Sequence, residues 1–446
     1  MFLYDFKAFP NTNEGNSTVV EDIMEAKKKW DLLALASIPL VMTLGNSMLI
    51  PVLPDIEKKL NISSFQVSMI ITVYSVVAIL LIPIAGYLSD RFGRKKIIIP
   101  SLLIAGIGGL ISGWAAWQSD HAFMVILIGR FLQGIGSSGA APVVLPLVGD
   151  MFQDEKEVSS GLGLIETSNT IGKVISPILG AYLATIIWFL PFWLIPVFCV
   201  ISIVFVLFLV KVPKKKEQEK QSFKEFVKNI KEIFHIEGKW LTAIFLIGGI
   251  IMFVLFGILF YLSTILEEKY NIHGVMKGLV IAVPLLALSI CSYIAGKKIK
   301  QNKVVMKWCT FLSMVLLGGS AFLITFTENV YFLLGALFVA GIGIGAALPS
   351  LDALITEGIE KEARGTITSI YSSMRFVGVA LGPPIYAILM KSSHEMVFYT
   401  SAGVSAVAAL AAFFAIKPEK EKGGGGDKEN KDKKQQQVDN LKPALE

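Results

Sequence analysis

The sequence has little charge, few cysteines and no nucleotide-binding motif. Only 17% of its 446 residues are charged, whereas 54% are hydrophobic. That balance is atypical of a soluble domain. The three cysteines, Cys199, Cys291 and Cys309, lie in apolar segments without paired spacing, so neither a disulfide framework nor a metal site is predicted. No GxxxxGK[ST] motif occurs, which argues against an ATP-driven pump. We expect no cofactor.

Long apolar runs occupy most of the chain. A helix needs about 20 apolar residues to cross the hydrocarbon core of a bilayer. We expect the first run to stay in the membrane, because it is too long and too rich in internal proline for a cleaved signal peptide. The predicted fold class is an all-α polytopic membrane protein with twelve transmembrane helices. These spans lie near 31–53, 67–88, 97–117, 122–147, 160–186, 189–210, 240–264, 276–296, 305–326, 330–355, 365–390 and 396–416.

Lysines and arginines lie in short blocks between the apolar runs. The largest blocks follow spans 2, 6, 8 and 12. By the positive-inside rule this pattern predicts a multi-pass protein of the plasma membrane with both termini in the cytoplasm. The net charge of +6 is not gathered on a folded basic face, so we expect no nucleic-acid partner.

The two halves of the chain resemble each other. Gly172 and Pro177 recur 206 residues later as Gly378 and Pro383, and span 4 recurs in span 10 at a similar offset. Such a repeat predicts two parallel six-helix halves. The matching residues of spans 4 and 10 are Gly134, Ile135, Gly136, Ala140 and Pro142 with Gly341, Ile342, Gly343, Ala347 and Pro349.

The repeat and the charge pattern divide the chain into five parts. We expect a cytoplasmic N-terminal segment over 1–30, a first half over 31–210 and a second half over 240–416. The linker 211–239 has apolar residues at helical spacing between lysines, which is typical of an amphipathic helix on the headgroups, although a partly ordered linker stays open. The Gly-rich, charged tail 417–446 is predicted to be disordered.

The loop between spans 2 and 3 carries a specific motif. With its seven matching residues, the chain resembles the major facilitator superfamily over essentially all twelve spans. That resemblance implies two six-helix halves with a substrate site near the midplane. It also implies that Gly86, Asp90, Arg91, Gly93 and Arg94 act as a conformational latch between the halves. The matching residues are Gly86, Leu88, Asp90, Arg91, Gly93, Arg94 and Lys95.

Within that superfamily the chain looks most similar to the twelve-span drug:proton antiporters. Span 5 departs from their pattern, since Ser176 and Ala181 stand where the family prefers glycine, and span 1 lacks an internal acid. The resemblance implies a proton-coupled secondary active transporter of the multidrug efflux type. The alternatives are a dedicated exporter of a metabolite, siderophore or lipid, and a proton-coupled importer. The matching residues are Gly45, Asn46, Pro51, Leu53, Pro54, Asp55 and Ile56 of span 1, Arg130, Gln133, Gly134 and Gly136 of span 4, and Gly172, Pro177, Gly180 and Leu183 of span 5.

A few charged residues lie inside the predicted spans. Each costs about 3 kcal/mol at the centre of a bilayer, so each is a candidate for function. They are Arg130 on span 4, Glu166 and Lys173 on span 5, and Arg375 on span 11. A proton-coupling carboxylate must change its proton affinity as its surroundings change, and Glu166 is the best-placed acid. Arg130 is predicted to stabilise its ionised form, or that of Asp150.

Two polar stripes are predicted to face each other across a central cavity. Glu166 and Lys173 are two helical turns apart with Asn169 and Thr170 between them, and Tyr371 and Arg375 form a similar stripe on span 11. We expect Asn169, Thr170, Lys173, Tyr371 and Arg375 to line the substrate cavity. The alternative is that Glu166 and Lys173 only neutralise each other or bond to neighbouring helices. Asp150 and Asp352, near the cytoplasmic ends of spans 4 and 10, are as well explained as solvated helix ends.

Small residues and prolines are predicted to let the helices bend where the halves move. These are Gly172, Pro177, Gly180, Gly382 and Pro383, for which ordinary helix packing is the alternative. The expected partners are a small-molecule substrate, protons and membrane lipids, and the expected assembly is a monomer. A non-transporting receptor or scaffold would not need embedded charges on inward stripes. No catalytic constellation points to an enzyme.

Overall fold

The computed structural model describes residues 14–152, 155–211, 223–299, 302–326, 329–359 and 361–416. Within these residues the chain forms helices and no strand. The tail 417–446, predicted to be disordered, lies outside the described residues.

Thirteen α-helices and one short 3-10 turn make up the described chain. The first group is α1 (Glu14–Ser47), the 3-10 turn (Ile50–Val52), α2 (Leu53–Leu60), α3 (Ser64–Phe92), α4 (Arg94–Gln118), α5 (Ala122–Met151), α6 (Glu155–Ile186) and α7 (Leu190–Phe208). The second group is α8 (Phe223–Glu268), α9 (Gly274–Ile299), α10 (Lys303–Ile324), α11 (Val330–Gly358), α12 (Lys361–Ser392) and α13 (His394–Ala415).

The predicted class of an all-helical polytopic membrane protein is confirmed. Eleven of the described helical segments are long and apolar enough to cross a membrane, and α6 is the remaining long helix at a predicted span. Two charged residues near its middle, Glu166 and Lys173, lower the hydropathy of α6. These charges explain why α6 is not among the eleven most apolar segments.

Two predicted segments, the first span and the linker, are organised differently in the structure. The first span divides in two, because α1 ends at Ser47 and the chain continues through the 3-10 turn, which carries Pro51, into α2. The amphipathic segment of the linker is no separate helix: it forms the first turns of α8. Ile233 and Phe234 pack against the core of the bundle, and the ring of Phe234 lies 5.6 Å from that of Phe245. Helix packing within the protein thus covers part of the apolar face of this segment, which the sequence predicts to lie on the lipid headgroups.

Glycines allow the helices to approach one another closely. A side chain at Gly382 of α12 would lie 2.7 Å from the carbonyl oxygen of Phe253 on α8, and one at Gly180 of α6 would collide with the carbonyl of Met48. A Cβ at Gly172 would lie 3.3 Å from the side chain of Thr43 on α1. Close packing therefore accounts for these three glycines, while Pro177 and Pro383 lie inside continuous helices. Their predicted role in bending stays a prediction.

Helices of the first six-span region pack against helices of the second along two seams. Along the first seam, the hydroxyl of Thr72 on α3 donates to the carbonyl of Ala380 on α12 at 2.8 Å. Along the second, the hydroxyl of Ser289 on α9 lies 3.4 Å from the carbonyl of Thr170 on α6. The α3–α12 and α6–α9 seams thus bring the two predicted polar stripes to opposite walls of one interior.

Candidate functional site in the centre of the helix bundle

Four charged side chains from three helices meet between the two seams. We call Glu166, Lys173, Asp352 and Arg375 the central charge cluster. Nη1 of Arg375 lies 4.0 Å from Oδ1 of Asp352, joining α12 to α11. Lys173 of α6 interacts electrostatically with Glu166 on its own helix and with both Arg375 and Asp352 across the interface. The structure therefore brings charged residues of α6, α11 and α12 together, and the assignment of the two stripes to a substrate cavity stays a prediction.

The cluster is not fully covered by protein although it belongs to membrane-spanning helices. Glu166 is exposed and Lys173 is half-buried. The side chains of Asp352 and Arg375 are 44% and 21% exposed, respectively. Charged groups that face hydrocarbon would be costly, whereas groups that line a water-filled cavity are not. Two acids and two bases leave the cluster formally neutral.

Asn169 and Thr170 occupy different positions around Glu166. Nδ2 of Asn169 lies 3.3 and 3.4 Å from the two carboxylate oxygens of Glu166, and its Oδ1 accepts a hydrogen bond of 2.6 Å from Thr43 of α1. Thr170 is buried, and its hydroxyl donates to the carbonyl of Glu166 at 2.7 Å. Asn169 therefore orients the acid, while the hydroxyl of Thr170 bonds within its own helix.

The aromatic ring of Tyr371 lies next to the guanidinium of Arg375. The guanidinium lies 5.7 Å from the centre of the Tyr371 ring, which is 1% exposed and packs 5.9 Å from the ring of Phe245. Among the described residues the Tyr371 hydroxyl has no hydrogen-bond partner. A buried hydroxyl without a partner is uncommon in proteins. The ring of Tyr371 thus lies on one side of the Arg375 guanidinium. Its hydroxyl is a hydrogen-bond donor next to the central charge cluster.

Arg130 lies elsewhere and bonds to neutral oxygens. Its guanidinium is fully buried and donates to Asn46, at 2.6 Å, and to Gln133, at 2.5 Å. It also donates to the carbonyls of Ile70 and Gly45, and its cation lies 4.5 Å from the Tyr74 ring. These contacts join α1, α3 and α5. The partnership with Glu166 or Asp150 that the sequence suggested is replaced here by uncharged acceptors.

The motif loop forms a charge network at the far end of α3. Arg94 is buried and bonds to Asp90 at 2.6 Å, to Asp150 at 3.1 Å and to Ser89 at 2.7 Å. Gly93 has a φ of 104°, which only glycine adopts easily, and this allows the sharp turn from α3 to α4. Asp150 is therefore part of the loop network rather than simply a solvated helix end.

Other residues of the motif hold the loop against neighbouring helices. Arg91 lies 3.2 Å from the Tyr87 hydroxyl, and Lys95 donates to the carbonyl of Val210 at 2.9 Å. A Cβ at Gly86 would lie 3.2 Å from the hydroxyl of Ser369 on α12. The start of the motif thus lies close to a helix of the second six-span region, and its role as a latch stays a prediction.

Sequence reasoning left Asp352 undecided and missed a second group of charges. Asp352 lies near the end of α11, where a solvated acid is ordinary, and no pattern in the chain links it to Arg375, 23 residues later. The missed group lies at the end of α3 opposite the motif loop, where Lys58 pairs with Glu267. Within the described residues no cluster of His, Cys, Asp and Glu has metal-binding geometry.

Known proteins resemble this chain at the level of both sequence and structure. Residues 35–308 and 306–444 match the family model of the Major Facilitator Superfamily. The Bacillibactin exporter of Bacillus subtilis (strain 168) is 57% identical over 396 residues, covering 88% of this chain and 98% of that protein. Multidrug resistance protein 2 of the same organism is 24% identical over 375 residues, covering 81% of this chain and 89% of that protein.

Two solved structures share the fold. The crystal structure of the human organic anion transporter MFSD10 gives a TM-score of 0.68 at 16% identity, covering 86% of this chain and 99% of that one. A bacterial homologue of the human lysosomal transporter Spinster, inward-facing and unoccupied, gives 0.69 at 14% identity, covering 87% and 97%. At such identities the likeness establishes the fold alone. Together with the family match, it shows that this chain is a membrane transporter belonging to the Major Facilitator Superfamily.

Proposed function

We propose that this protein exports a siderophore of the bacillibactin type by alternating access of its two six-helix halves. The observation that carries the proposal is the 57% identity to the Bacillibactin exporter over 98% of that protein's length. The multidrug reading has only distant support, from relatives such as Multidrug resistance protein 2 at 24% identity. The dedicated siderophore exporter, an alternative from the sequence, is therefore favoured over multidrug efflux.

The central charge cluster suits a site that both halves share. Glu166 and Lys173 belong to the first half, and Asp352 and Arg375 belong to the second. A ligand that bridges them binds some arrangements of the halves better than others, and only such a differential affinity can shift a conformational equilibrium. Lys173 and Arg375 supply cations for anionic substrate groups, while Tyr371 and Asn169 supply neutral hydrogen-bonding groups.

Proton exchange at the cluster would couple transport to an ion gradient. Glu166 is exposed and held by Asn169, and Asp352 lies 4.0 Å from Arg375. Proton binding to either acid leaves the two cations in excess, which changes how strongly the cluster holds an anionic substrate. We propose Glu166 as the main coupling acid, with Asp352 as the counter-ion of Arg375.

The proposed orientation follows from the charges near the motif loop. Arg91, Arg94, Lys95 and Lys96 lie at one end of the bundle, which the positive-inside rule places in the cytoplasm of a plasma-membrane protein. Both termini would then be cytoplasmic. In that orientation the central charge cluster receives substrate from the motif-loop end and releases it at the α2 end.

Secretion by living cells tests the proposal. A Bacillus subtilis strain without its Bacillibactin exporter would be complemented with this chain and grown under iron limitation. We expect secretion of bacillibactin into the medium to be restored. The control is the same strain with the Arg375→Ala variant, which should be inserted but secrete little, because the cluster loses a cation that binds the substrate.

A parallel assay separates the siderophore proposal from multidrug efflux. Purified protein in liposomes with an imposed pH gradient would be offered bacillibactin and a panel of lipophilic cations. Proton flux in response to bacillibactin alone supports the dedicated exporter. Flux in response to many cations, together with failed complementation, would overturn it in favour of multidrug export.

A further inference from the structure

A second group of charged residues joins the two halves at the end opposite the motif loop. It consists of Asp55 and Lys58 on α2, Glu267 on α8 and Lys277 on α9, and we call it the α2-end ion-pair cluster. The 29 residues of α3 separate it from the motif loop, a distance of about 44 Å along a helix axis. The cluster is thus distinct from both the motif loop and the central charge cluster.

Glu267 lies at the centre of the cluster. Its Oε2 accepts a hydrogen bond from Lys277 at 2.7 Å, and its Oε1 accepts one from Lys58 at 2.5 Å. Lys277 in turn lies 3.9 Å from Asp55. Nδ1 of His273 lies 4.0 Å from Oε1 of Glu267. One carboxylate therefore bonds simultaneously to a lysine of its own half and to a lysine of the other half.

Burial differs sharply across the cluster. The side chains of Glu267 and Lys277 are only 3% and 2% exposed, whereas those of Lys58 and Asp55 are 60% and 41% exposed. Buried charges are retained only when they are paired, because desolvation is costly. The second half thus presents a buried ion pair, and two more accessible charged residues of the first half contact it. Nearby, the buried hydroxyl of Ser263 donates to the carbonyl of Ile50 at 2.8 Å, which extends the seam between the halves.

The two ion pairs between the halves have opposite charge arrangements. A cation of the first half, Lys58, meets an anion of the second, Glu267, while Lys277 of the second half meets Asp55 of the first. If the halves separate, Glu267 keeps Lys277. Asp55 and Lys58, three residues apart on one helix, can then pair with each other. Neither half is left with a net charge, so the contact can break and re-form without stranding a buried ion.

The internal duplication shows that this contact is specific to one half. Glu57, Asn61 and Ile62 recur 210 residues later as Glu267, Asn271 and Ile272. Asn61 and Asn271 both adopt positive φ, at 49° and 53°, so the two turns have the same backbone shape. Glu57, however, accepts a hydrogen bond from Ser64 within its own half at 2.6 Å. Of this equivalent pair of acids, Glu267 is the one that bridges the halves.

We propose that the α2-end ion-pair cluster closes the release end of the transport path. Separation of Lys58 from Glu267, and of Asp55 from Lys277, is then a required step each time that end opens. The inference rests on the proposed alternating access of the halves, but not on the identity of the substrate. Lys58 and Glu267 act as positioning residues that set the ratio of closed to open protein.

Distance measurements on the purified full-length protein test this inference. Spin labels would be attached to cysteines introduced by Lys59→Cys on α2 and Met276→Cys on α9, both exposed positions. The three native cysteines would be replaced by alanine. Distance distributions would then be recorded in lipid nanodiscs, without substrate, by double electron-electron resonance for the labelled protein and four further variants.

The four variants form two matched pairs. In the first pair, Lys58→Met removes the ion pair with Glu267, whereas Lys58→Arg keeps it. In the second pair, Glu267→Gln removes the central acid, whereas Glu57→Gln changes the equivalent acid of the repeat. We expect Lys58→Met and Glu267→Gln to raise the population with the longer distance at least about threefold. Lys58→Arg and Glu57→Gln should match the unsubstituted protein.

Two results would overturn the inference. One is an unchanged distribution in Lys58→Met, a variant of an exposed side chain that is expected to fold even if Glu267→Gln does not. The other is an equal shift in Glu57→Gln, which would indicate general loosening. Failure of this inference can be told apart from failure of the proposed function. Bacillibactin secretion can be lost while the distances respond as expected, and the distances can stay unchanged while secretion is retained.

Discussion

At the scale of single residues, proton exchange depends on whether a carboxylate is fixed in an ion pair. Glu166 is exposed and contacts a neutral amide, whereas Arg94, Glu267 and Lys277 have fixed ionic partners. A carboxylate whose hydrogen bonds come from a neutral amide can exchange a proton without breaking a hydrogen-bonded ion pair. This contrast separates Glu166 from Glu267.

The Glu166→Gln variant should stop substrate-dependent proton movement while leaving the protein folded and inserted. Glutamine keeps the size and the contact with Asn169 but cannot ionise. Proton flux in liposomes with a pH-sensitive dye measures the effect, and Asp120→Asn, which changes an exposed acid at a helix end, is the control. Unchanged coupling in Glu166→Gln would remove this residue from the mechanism.

The Asp352→Asn variant should lower export with little loss of stability. Its carboxyl is 44% exposed and 4.0 Å from Arg375, so we expect the ion pair to contribute less than about 1 kcal/mol to folding. The substitution leaves the central charge cluster with an excess positive charge. Export of bacillibactin and thermal unfolding would be measured together. Export should be largely retained in Asp352→Glu, which keeps the cluster neutral; an equal loss in that variant would argue against charge balance as the cause.

At the scale of helices, α6 combines a tightly packed face and an open face. Gly180 packs against the backbone at Met48, whereas Gly163 of the same helix has open space where a Cβ would stand. The same substitution at these two positions therefore separates steric crowding from helix propensity. Both positions lie on α6, so each substitution serves as the control for the other.

Gly180→Ala should lower the stability of the protein by about 1–3 kcal/mol, because the added methyl group forces α6 away from the 3-10 turn. Gly163→Ala should be neutral or should stabilise by up to about 1 kcal/mol through helix propensity. Thermal unfolding of the purified protein in detergent compares the two. Equal apparent Tm values would mean that the α6 contact relaxes freely.

At the scale of the whole molecule, contacts between the halves exist at both ends of the bundle. Gly86 faces Ser369 at the motif-loop end, and Lys58 bonds to Glu267 at the α2 end. Alternating access requires that these contacts open in turn. A covalent link at one end should therefore arrest the cycle.

A disulfide at the motif-loop end is compatible with the geometry. A Cβ at Gly86 would lie 3.9 Å from the Cβ of Ser369, within the range of natural disulfides. In a background without native cysteines, Gly86→Cys/Ser369→Cys should lose transport on oxidation and regain it on reduction. Each single variant, treated identically, should keep its activity. Undiminished transport by the crosslinked protein would show that this seam does not open.

Local patterns in the sequence were sufficient for the fold class and for naming candidate site residues. The length of each apolar run, the position of the lysine and arginine blocks and the internal repeat are properties of neighbouring residues, and the membrane forces helices to satisfy their own backbone hydrogen bonds. For the same reason, the spacing of Glu166 and Lys173 already indicated a shared helix face.

Only the tertiary structure decided which charges meet. It paired Arg130 with neutral oxygens of Asn46 and Gln133, Arg375 with Asp352, and Glu267 with Lys58, 209 residues earlier in the chain. Each residue along a helix turns by about 100°, so a small change in the rotation or crossing of two packed helices brings a different side chain to their interface. That rotation is set by packing across the whole bundle, and no single stretch of the sequence contains it.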